Sequence, residues 1–537
     1  MGAASWLLAL LACPQAPRID VPRVTVFDEE VPVSLAVGVS DPQDDPVALR
    51  VTGLPAGAIW DPQRRTVHFT PDLTQGGQSW TVQLVADDGE HQTRTEWRWR
   101  VADTLTPPDP VVTARTVGQT HILWRVAQRT DASLDPPGLA GRTFQATVTL
   151  PRGEAAPRSV PVRVRLHGFG GRPRGLPAPG TVVIEPADPD HSYWWGMAAG
   201  LPEGVGDGPV VAYTQRRVLH LLAWVLDQVP SADPDRVLLE GASMGGAGAL
   251  SLGLLFPRHF AAVRGTIGQT VPRNQRPSRL AQLSQLYGHP QDALASPSGR
   301  PVWDEMDLTR VLADDPGARD QWVFTRHGRD DPLIHFSAVV QDSPVTGLSF
   351  YEAVQMWAVG HHAVWDEGGH GSPDPVLGSH WWEEPDDWHP ERFLTRTSSF
   401  PAFTRASTDG VPGDGSPTGR VPWHPEDGYA GAVEVAGDSG WAGDSFGGLN
   451  QHPRWDPEGV EDSASRWAVP LRVVGVQAAT VDVTPRRTQV FRPQVGDRIA
   501  WTCGDQEGEV RADRDGVTVA GVRLTSAWQT LALEVIH

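Results

Sequence analysis

The stretch Asp235-Arg-Val-Leu-Leu-Glu-Gly-Ala-Ser-Met-Gly-Gly-Ala-Gly-Ala-Leu-Ser-Leu252 decides the fold of this chain. Its apolar run ends at a G-x-S-x-G pattern, Gly241 to Gly245, and small residues then predict a helix that runs to Pro257. So sharp a turn from strand to helix strains the serine backbone and requires small residues two before and two after it. The hydroxyl then stands at a helix N-terminus, where developing negative charge is stabilised. The pattern predicts Ser243 as a nucleophile, and a glycine-rich turn without a catalytic role is the alternative.

A serine nucleophile needs a base, an acid that orients the base, and donors for the oxyanion. After this kind of turn, the acid and then the histidine follow in chain order, each at the end of a later strand. The strand Val323-Phe-Thr leads to Asp330-Asp331, and we expect Asp331 to be the acid, with Asp330 as the alternative. After the strand residues Ala363-Val-Trp, a glycine-rich loop contains His370, which we expect to be the base.

The oxyanion should lie between two backbone N–H groups. One belongs to Met244, which follows the nucleophile, and the other comes from a loop after an early strand. The segment His167-Gly-Phe-Gly-Gly171 fits that loop, because its glycines let the backbone approach a substrate closely. We expect the Phe169 amide to be the second donor, with Gly168 as the alternative.

Tryptophan is abundant in this chain, with 22 residues against 5 tyrosines. Trp194, Trp195 and Trp381 lie in segments beside the expected site. They are candidate substrate contacts that would stack on an aromatic or sugar group. The alternative is that they anchor loops by packing. The sequence contains no metal-ligand spacing such as H-E-x-x-H or CxxC, and we expect neither a metal nor a cofactor.

These motifs together resemble the α/β-hydrolase superfamily, and within it esterases similar to polyhydroxybutyrate depolymerases and feruloyl esterases. The resemblance covers residues 115–400. It implies a mostly parallel sheet with helices on both faces and hydrolysis of carboxylic esters through an acyl-enzyme. The partner implied is an ester-containing substrate of plant or polymer origin. Prolyl-oligopeptidase-like peptidases share the fold and the triad, so a peptidase is the alternative. A third hypothesis is an inactive surface-displayed binding protein.

The rest of the chain predicts further β structure. Alternating apolar segments between residues 17 and 103 predict a β-sandwich. Leu54-Pro-Ala-Gly-Ala-Ile-Trp-Asp-Pro and Val85-Ala-Asp-Asp-Gly-Glu resemble immunoglobulin or cadherin-like repeats of bacterial surface proteins, which implies contacts at the cell surface. The predicted divisions are a signal segment 1–13, the sandwich 17–103, a proline-rich linker 104–112, the catalytic α/β domain 113–405, a Gly/Asp/Pro-rich connection 406–465 and a small C-terminal β domain 466–537.

The composition and the first residues limit which partners and which cellular location we expect. The net charge of −20 argues against nucleic acid and anionic membrane surfaces as partners. Trp6-Leu-Leu-Ala-Leu-Leu-Ala-Cys13 resembles the end of a bacterial lipoprotein signal, which implies export and lipidation of Cys13. An ordinary signal peptide or an apolar N-terminus is the alternative. If Cys13 carries a lipid, Cys503 has no disulfide partner, because the chain has only 2 cysteines.

Overall fold

The computed structural model describes residues 16–55, 57–153, 156–372, 374, 377–378, 388–414, 442–513 and 515–536. The chain forms two compact units that divide after Thr106, inside the predicted proline-rich linker. None of the helices in these described ranges is long and apolar enough to cross a membrane.

The first unit is built from β-strands. Its apolar residues alternate with polar ones, as in the strand Gln92–Ala102, where Trp97 and Trp99 are buried and Arg98 is exposed. A four-stranded sheet (β2-β9-β8-β5), a three-stranded sheet (β3-β7-β6) and the pair β1-β4 share one apolar core. The predicted β-sandwich is confirmed, and its kinship with immunoglobulin or cadherin repeats stays a prediction. The strands are β1 Arg18–Asp20, β2 Val26–Asp28, β3 Val33–Ala36, β4 Gly38–Ser40, β5 Ala48–Thr52, β6 Ile59–Asp61, β7 Thr66–Phe69, β8 Ser79–Asp87 and β9 Gln92–Ala102.

The second unit mixes strands and helices. Its strands are β10 Val111–Val117, β11 His121–Arg129, β12 Thr143–Pro151, β13 Val160–Leu166, β14 Val182–Glu185, β15 Met197–Ala198, β16 Val210–Val211, β17 Ala232–Ala242, β18 Ala262–Thr266, β19 Trp322–Gly328, β20 Gly360–Asp366, β21 Phe400–Thr404, β22 Gly447–Leu449, β23 Pro453–Trp455, β24 Glu461–Asp462, β25 Arg466–Val473, β26 Ala478–Arg486, β27 Arg498–Cys503, β28 Gln506–Arg511, β29 Val519–Thr525 and β30 Gln529–Ile536. Its α-helices are α1 Tyr213–Gln228, α2 Met244–Leu255, α3 Pro277–Tyr287, α4 Val302–Glu305, α5 Leu308–Asp314, α6 Pro316–Arg319, α7 Ser337–Val340, α8 Phe350–Met356 and α9 Pro390–Phe393.

A ten-stranded sheet organises this unit, in the order β10-β11-β12-β14-β13-β17-β18-β19-β20-β22. The strands from β14 to β20 in that order are parallel, and the strands on either side of them run antiparallel to their neighbours. The mostly parallel sheet predicted from the alternation of strands and helices is confirmed. Its parallel strands end at one edge, where ligand and catalytic residues of such sheets gather.

The two faces of the sheet are covered differently. On one face, side chains such as Leu239 and Val263 share a core with α1, α2 and further helices. On the other, Leu238, Ala262 and Trp322 share a core with C-terminal β residues, and α9 contacts β17 and β18. Helices lie on both faces, as predicted, and on the second face α9 shares the cover with the C-terminal β residues.

Strands β21, β22 and β23 pair across the region boundaries that we predict between 400 and 466. β21, assigned from sequence to the catalytic domain, pairs with β26 of a C-terminal sheet. β22, assigned to the connecting region, is an edge strand of the ten-stranded sheet and pairs with β20. β23, also assigned to the connecting region, pairs with β25. A strand assigned to one region thus pairs in the sheet of another. The ten-stranded sheet and the C-terminal strands also bury side chains in one continuous apolar core.

Two adjacent arginines join the C-terminal sheets to the ten-stranded sheet and its helices. Arg487 is buried, and its guanidinium donates to the carbonyl oxygens of Ala261 at 2.9 Å and of Asp320, which caps α6, at 3.0 Å. Arg486 donates to the carbonyl oxygen of Ala358, just beyond α8, at 2.7 Å. Asp320 and Ala358 lie at or just beyond helix ends, where carbonyl groups lack partners within the helix, so the guanidinium groups supply donors to these oxygens.

Candidate active site

The turn at Ser243 has the geometry that its sequence predicts. Ser243 lies between β17 and α2 with φ 59° and ψ −127°, in the left-handed region that residues with a side chain avoid. A Cβ on Gly241 would lie 2.2 Å from the Gly245 oxygen, and one on Gly245 would lie 2.1 Å from the Leu166 oxygen. The Ser243 N–H donates to the Thr266 oxygen at 3.0 Å. The turn is therefore fixed by close backbone contacts that only glycine permits.

His370 connects Ser243 to Asp331. Its Nε2 atom lies 2.7 Å from the Ser243 Oγ atom, and its Nδ1 atom lies 2.7 Å from the Asp331 Oδ2 atom. A carboxylate only accepts hydrogen bonds, so Nδ1 carries the proton and Nε2 is left to accept from the serine hydroxyl. Asp331 follows β19 and His370 follows β20, and both strands end at the same edge of the sheet. The structure thus brings together the three residues predicted as nucleophile, acid and base.

The structure also separates the two candidate acids. Asp331 is 1 % exposed, and its Oδ1 atom accepts from the N–H groups of Leu333 at 2.8 Å and Ile334 at 3.0 Å. Its other carboxylate oxygen is the one that faces His370. The Asp330 N–H instead donates to the Gly368 oxygen at 3.2 Å. The loop therefore places the Asp331 carboxylate, and not that of Asp330, against the His370 imidazole.

A buried ion pair ties together the loops that carry the acid and the base. The Arg329 guanidinium lies 3.3 Å from the Glu367 carboxylate, and the two residues are 1 % and 3 % exposed. The Arg329 N–H donates to the Asp366 oxygen at 2.7 Å, and its guanidinium donates to the Ala442 oxygen at 2.8 Å. Sequence reasoning missed this pair. The available signal was a charged residue placed within three positions of each predicted triad member.

The loop 167–171 lies beside the nucleophile. A Cβ on Gly168 would lie 3.5 Å from the Ser243 Cβ atom and 4.0 Å from its Oγ atom. Met244 is the first residue of α2, so its N–H has no acceptor within the helix. Phe169 follows Gly168 directly and precedes Gly170, whose φ is 70°. The arrangement agrees with an oxyanion site between Met244 and this loop, and the donor role of Phe169 stays a prediction.

His167 holds the peptide that precedes Phe169. Its Nε2 atom accepts from the Asp188 N–H at 3.0 Å, and its Nδ1 atom lies 2.8 Å from the Gly168 oxygen. Since Nε2 accepts, the proton sits on Nδ1, which donates to Gly168. Burial lowers the pKa of His167, which favours this neutral ring. The histidine thereby fixes the orientation of the Gly168–Phe169 peptide.

The tryptophans beside the site are buried. Trp194 is 0 % exposed, its indole N–H donates to the His167 oxygen at 3.1 Å, and its ring lies against Gly248 of α2. Trp195 is 4 % exposed. These two buried rings therefore form no open stacking surface, which agrees with the alternative that they anchor loops by packing. Trp381 and Cys13 lie outside the described residues.

Other reactive groups are few in the described ranges. No group of three or more His, Cys, Asp or Glu side chains there is placed to hold a metal ion. Cys503 is a free cysteine, and burial raises the pKa of its thiol to about 11. A thiol with so high a pKa is a poor nucleophile at neutral pH.

The strand order, the strained turn and the chain order serine, aspartate, histidine are those of the α/β-hydrolase fold. A scan of models of known protein families and a search of curated proteins gave no match. Solved structures with similarity include an S-formylglutathione hydrolase from Agrobacterium tumefaciens (18 % identity, TM-score 0.36, 52 % of this chain and 99 % of that chain). They also include the fluorophosphonate-binding serine hydrolase FphF from Staphylococcus aureus (17 %, 0.34, 47 % and 92 %) and an acetyl xylan esterase from Paenibacillus sp. R4 (18 %, 0.31, 50 % and 85 %).

Proposed function

We propose that this chain is a serine hydrolase that cleaves carboxylic esters through an acyl-enzyme. The observation that carries the proposal is the unbroken relay from Ser243 through His370 to Asp331, with both hydrogen bonds at 2.7 Å. His370 removes the serine proton as Oγ attacks the ester carbonyl, and it returns that proton to the departing alcohol. Water then attacks the acyl-enzyme, with His370 again acting as the base, and releases the acid.

The electrostatics of the site support these steps. Asp331 holds the reactive tautomer of His370 and stabilises the imidazolium that forms during attack. Two backbone N–H groups bind its other oxygen and fix the orientation of the carboxylate toward His370. The tetrahedral oxyanion forms at the N-terminus of α2, where the Met244 and Phe169 amides and the helix dipole stabilise negative charge.

Replacing the nucleophile tests the assignment. Ser243→Ala should lower kcat/KM for p-nitrophenyl acetate by at least ~10³-fold, because the relay then has no oxygen to activate. The wild type should also react covalently with a fluorophosphonate at Ser243. The resemblance to polyester and feruloyl esterases favours esters over peptides, so a matched peptide amide should be cleaved far more slowly. Turnover of the ester by the alanine variant at the wild-type rate would exclude the assignment.

Export is a separate proposal that rests on residues 6–13 alone. We propose that the apolar run before Cys13 directs the chain out of the cytoplasm and that Cys13 is lipidated. Radiolabelled palmitate should then enter the wild-type protein and not Cys13→Ala, when both are expressed from the complete sequence in a bacterium. Equal labelling of the two proteins would contradict lipidation.

A further inference from the structure

Two ion pairs cross between the chain segments that carry the acid and the base. The Arg326 guanidinium lies 2.9 Å from the Asp366 carboxylate, and the Arg329 guanidinium lies 3.3 Å from that of Glu367. Arg326 lies in β19 and Arg329 follows that strand, while Asp366 ends β20 and Glu367 follows it. The second pair is the more deeply buried, with side chains 1 % and 3 % exposed. The two loops therefore leave the sheet side by side, joined by charged side chains.

The main chains of the two loops also touch. The Arg329 N–H donates to the Asp366 oxygen at 2.7 Å, and the Asp330 N–H donates to the Gly368 oxygen at 3.2 Å. A Cβ on Gly328 would lie 2.0 Å from that same Gly368 oxygen, so the chains approach where a side chain would not fit. All three contacts lie within three residues of the acid. A small movement of one loop would therefore change the position of the other.

The Arg329 guanidinium binds three acceptors from different parts of the chain. Besides the Glu367 carboxylate, it binds the carbonyl oxygens of Ala442, at 2.8 Å, and of Asp444. The Asp444 oxygen is itself fixed to β20, because it also accepts from the Trp365 indole N–H at 3.0 Å. A planar guanidinium presents its N–H donors in a rigid fork, so three fixed acceptors determine its position. The acid, two residues further along, is therefore attached to a fixed point.

Stability alone is a weak reason for such a pair. Burying two charges costs hydration that their attraction only partly returns, and apolar replacements of similar volume are often neutral or stabilising. A lone arginine here would add a positive charge near His370, which must itself become positive when it takes the serine proton. The Glu367 carboxylate cancels that charge. The pair can thus hold the two loops together without changing the net charge around the base.

We propose that Arg329 and Glu367 are positioning residues of the hydrolase, which hold Asp331 and His370 at hydrogen-bonding distance and add no net charge beside the imidazole. The proposal rests on the ester hydrolase function proposed above. Other charged side chains of the described segments around the pair stay the same in every variant below; they are Arg326, Asp330, Asp366, Asp374 and Asp444.

The pH profile of kcat/KM for p-nitrophenyl acetate tests the charge balance, because its acidic limb reports protonation of the base in the free enzyme. Glu367→Gln removes a negative charge near the imidazole and should move that limb to lower pH. Arg329→Gln removes a positive charge and should move it to higher pH. Each shift should be on the order of 1 pH unit, for a charge about 10 Å away at an effective dielectric constant of about 20. The double variant loses both charges and should return the limb to its wild-type position.

Arg329→Lys tests the positioning separately from the charge. Lysine keeps the positive charge, but a single ammonium group cannot reproduce the planar fork that binds three acceptors. The acidic limb should therefore stay in place. We expect kcat to fall ~10- to 100-fold with KM almost unchanged, because a misplaced relay affects the transition state and the buried pair does not touch the substrate.

Arg319→Gln is the matched control. Arg319 precedes β19 as Arg329 follows it, so the two arginines lie at opposite ends of one strand, roughly 20 Å apart. Arg319 also combines an ion pair, to Asp515 at 2.6 Å, with bonds to two carbonyl oxygens at 2.7 Å. Its loss should lower the melting temperature but leave kcat and the acidic limb as in the wild type.

The outcomes separate the positioning role from the function. The role is overturned if Glu367→Gln leaves the acidic limb in place or moves it to higher pH, if Arg329→Lys keeps the wild-type kcat, or if Arg319→Gln changes the profile equally. Melting temperatures identify variants that do not fold, and the isosteric Glu367→Gln still decides the question if the arginine variants unfold. In each case a wild type that hydrolyses the ester and binds a fluorophosphonate at Ser243 leaves the proposed function intact. A wild type that does neither removes the proposed function and the positioning role with it.

Discussion

Ser243 shows how one strained residue is held by its neighbours. A left-handed conformation at a residue with a side chain costs about 1–3 kcal/mol and persists only when the surroundings enforce it. Here the enforcement comes from glycines at 241 and 245, where any Cβ would collide with backbone oxygens, and from the hydrogen bond to Thr266. The G-x-S-x-G pattern was informative because its spacing records this steric requirement.

At the same scale, His167 gives a prediction about the oxyanion loop. His167→Ala removes one of the two donors to the Gly168 oxygen and leaves the Gly171 N–H as the other, so the Phe169 N–H, proposed above as an oxyanion donor, should be held less firmly. We expect kcat to fall ~10- to 100-fold with KM almost unchanged, because that interaction forms only in the transition state. His167→Asn, which keeps a donor near the Nδ1 position, should recover part of kcat. A rise in KM alone, or equal loss in both variants, would argue that the histidine serves only folding.

Residue-scale prediction from sequence had a clear limit. The identities of Ser243 and His370 followed from local patterns whose backbone demands are visible in the sequence. The choice between Asp330 and Asp331 required the path of the loop, because adjacent side chains point in different directions. Trp194 is buried and its φ is 62°, and no sequence pattern signalled either feature.

At the scale of secondary-structure elements, Arg487, which directly follows β26, ties the sheet of β26 to the ten-stranded sheet through its bond to the Ala261 oxygen. Arg487→Met should lower the free energy of unfolding by about 3–5 kcal/mol, since it leaves the buried Ala261 oxygen and the part-buried Asp320 oxygen without their donor. Urea denaturation followed by circular dichroism measures this. The control is Arg498→Met, which removes an exposed pair with Glu509 and should cost at most about 1 kcal/mol. Similar losses in the two variants would contradict the integrating role.

Long, regular elements were predictable and short ones were not. α1 carries helical apolar spacing over 16 residues, and β17 was recognised from the apolar run Val237 to Leu239 near its end. β22 is three residues, Gly-Gly-Leu, with no alternation to detect. Its place in the sheet follows from a long-range pairing with β20 that local sequence does not encode. The pairings of β21 and β23 across the predicted region boundaries are likewise long-range.

For the molecule as a whole, buried histidines predict acid sensitivity. Burial lowers the pKa of His327 and His362 to about 3 and that of His361 to about 4. The folded protein keeps these rings neutral, whereas the unfolded chain binds protons below its pKa of about 6.5. The stability that these neutral rings contribute to the folded protein is complete above pH 6.5. It is lost as the pH falls toward the pKa values that the rings have in the folded protein. At pH 5 the loss amounts to about 2 kcal/mol for each ring.

His327→Phe removes the pH dependence that comes from one of these histidines. Phenylalanine is the replacement chosen because the His327 ring lies among aromatic neighbours, with its centre 6.3 Å from that of Phe336 and 6.4 Å from that of Tyr351. Between pH 7.5 and pH 5, the free energy of unfolding of the wild type should fall about 2 kcal/mol further than that of the variant. Urea titrations at the two pH values give this difference directly. Parallel pH dependence of the two proteins would show that His327 is not the titrating group.

The bond from Arg329 to a distant part of the chain has a consequence for biosynthesis. Its guanidinium donates to the Ala442 oxygen, 113 positions later, and also to Asp444. A ribosome that has just finished the aspartate and histidine loops has therefore made Glu367 but not yet the Ala442 and Asp444 oxygens that also bind Arg329. We expect activity to emerge only after residues 442–487 have left the exit tunnel and docked. A polypeptide released before that point would contain every reactive side chain and still lack a working relay.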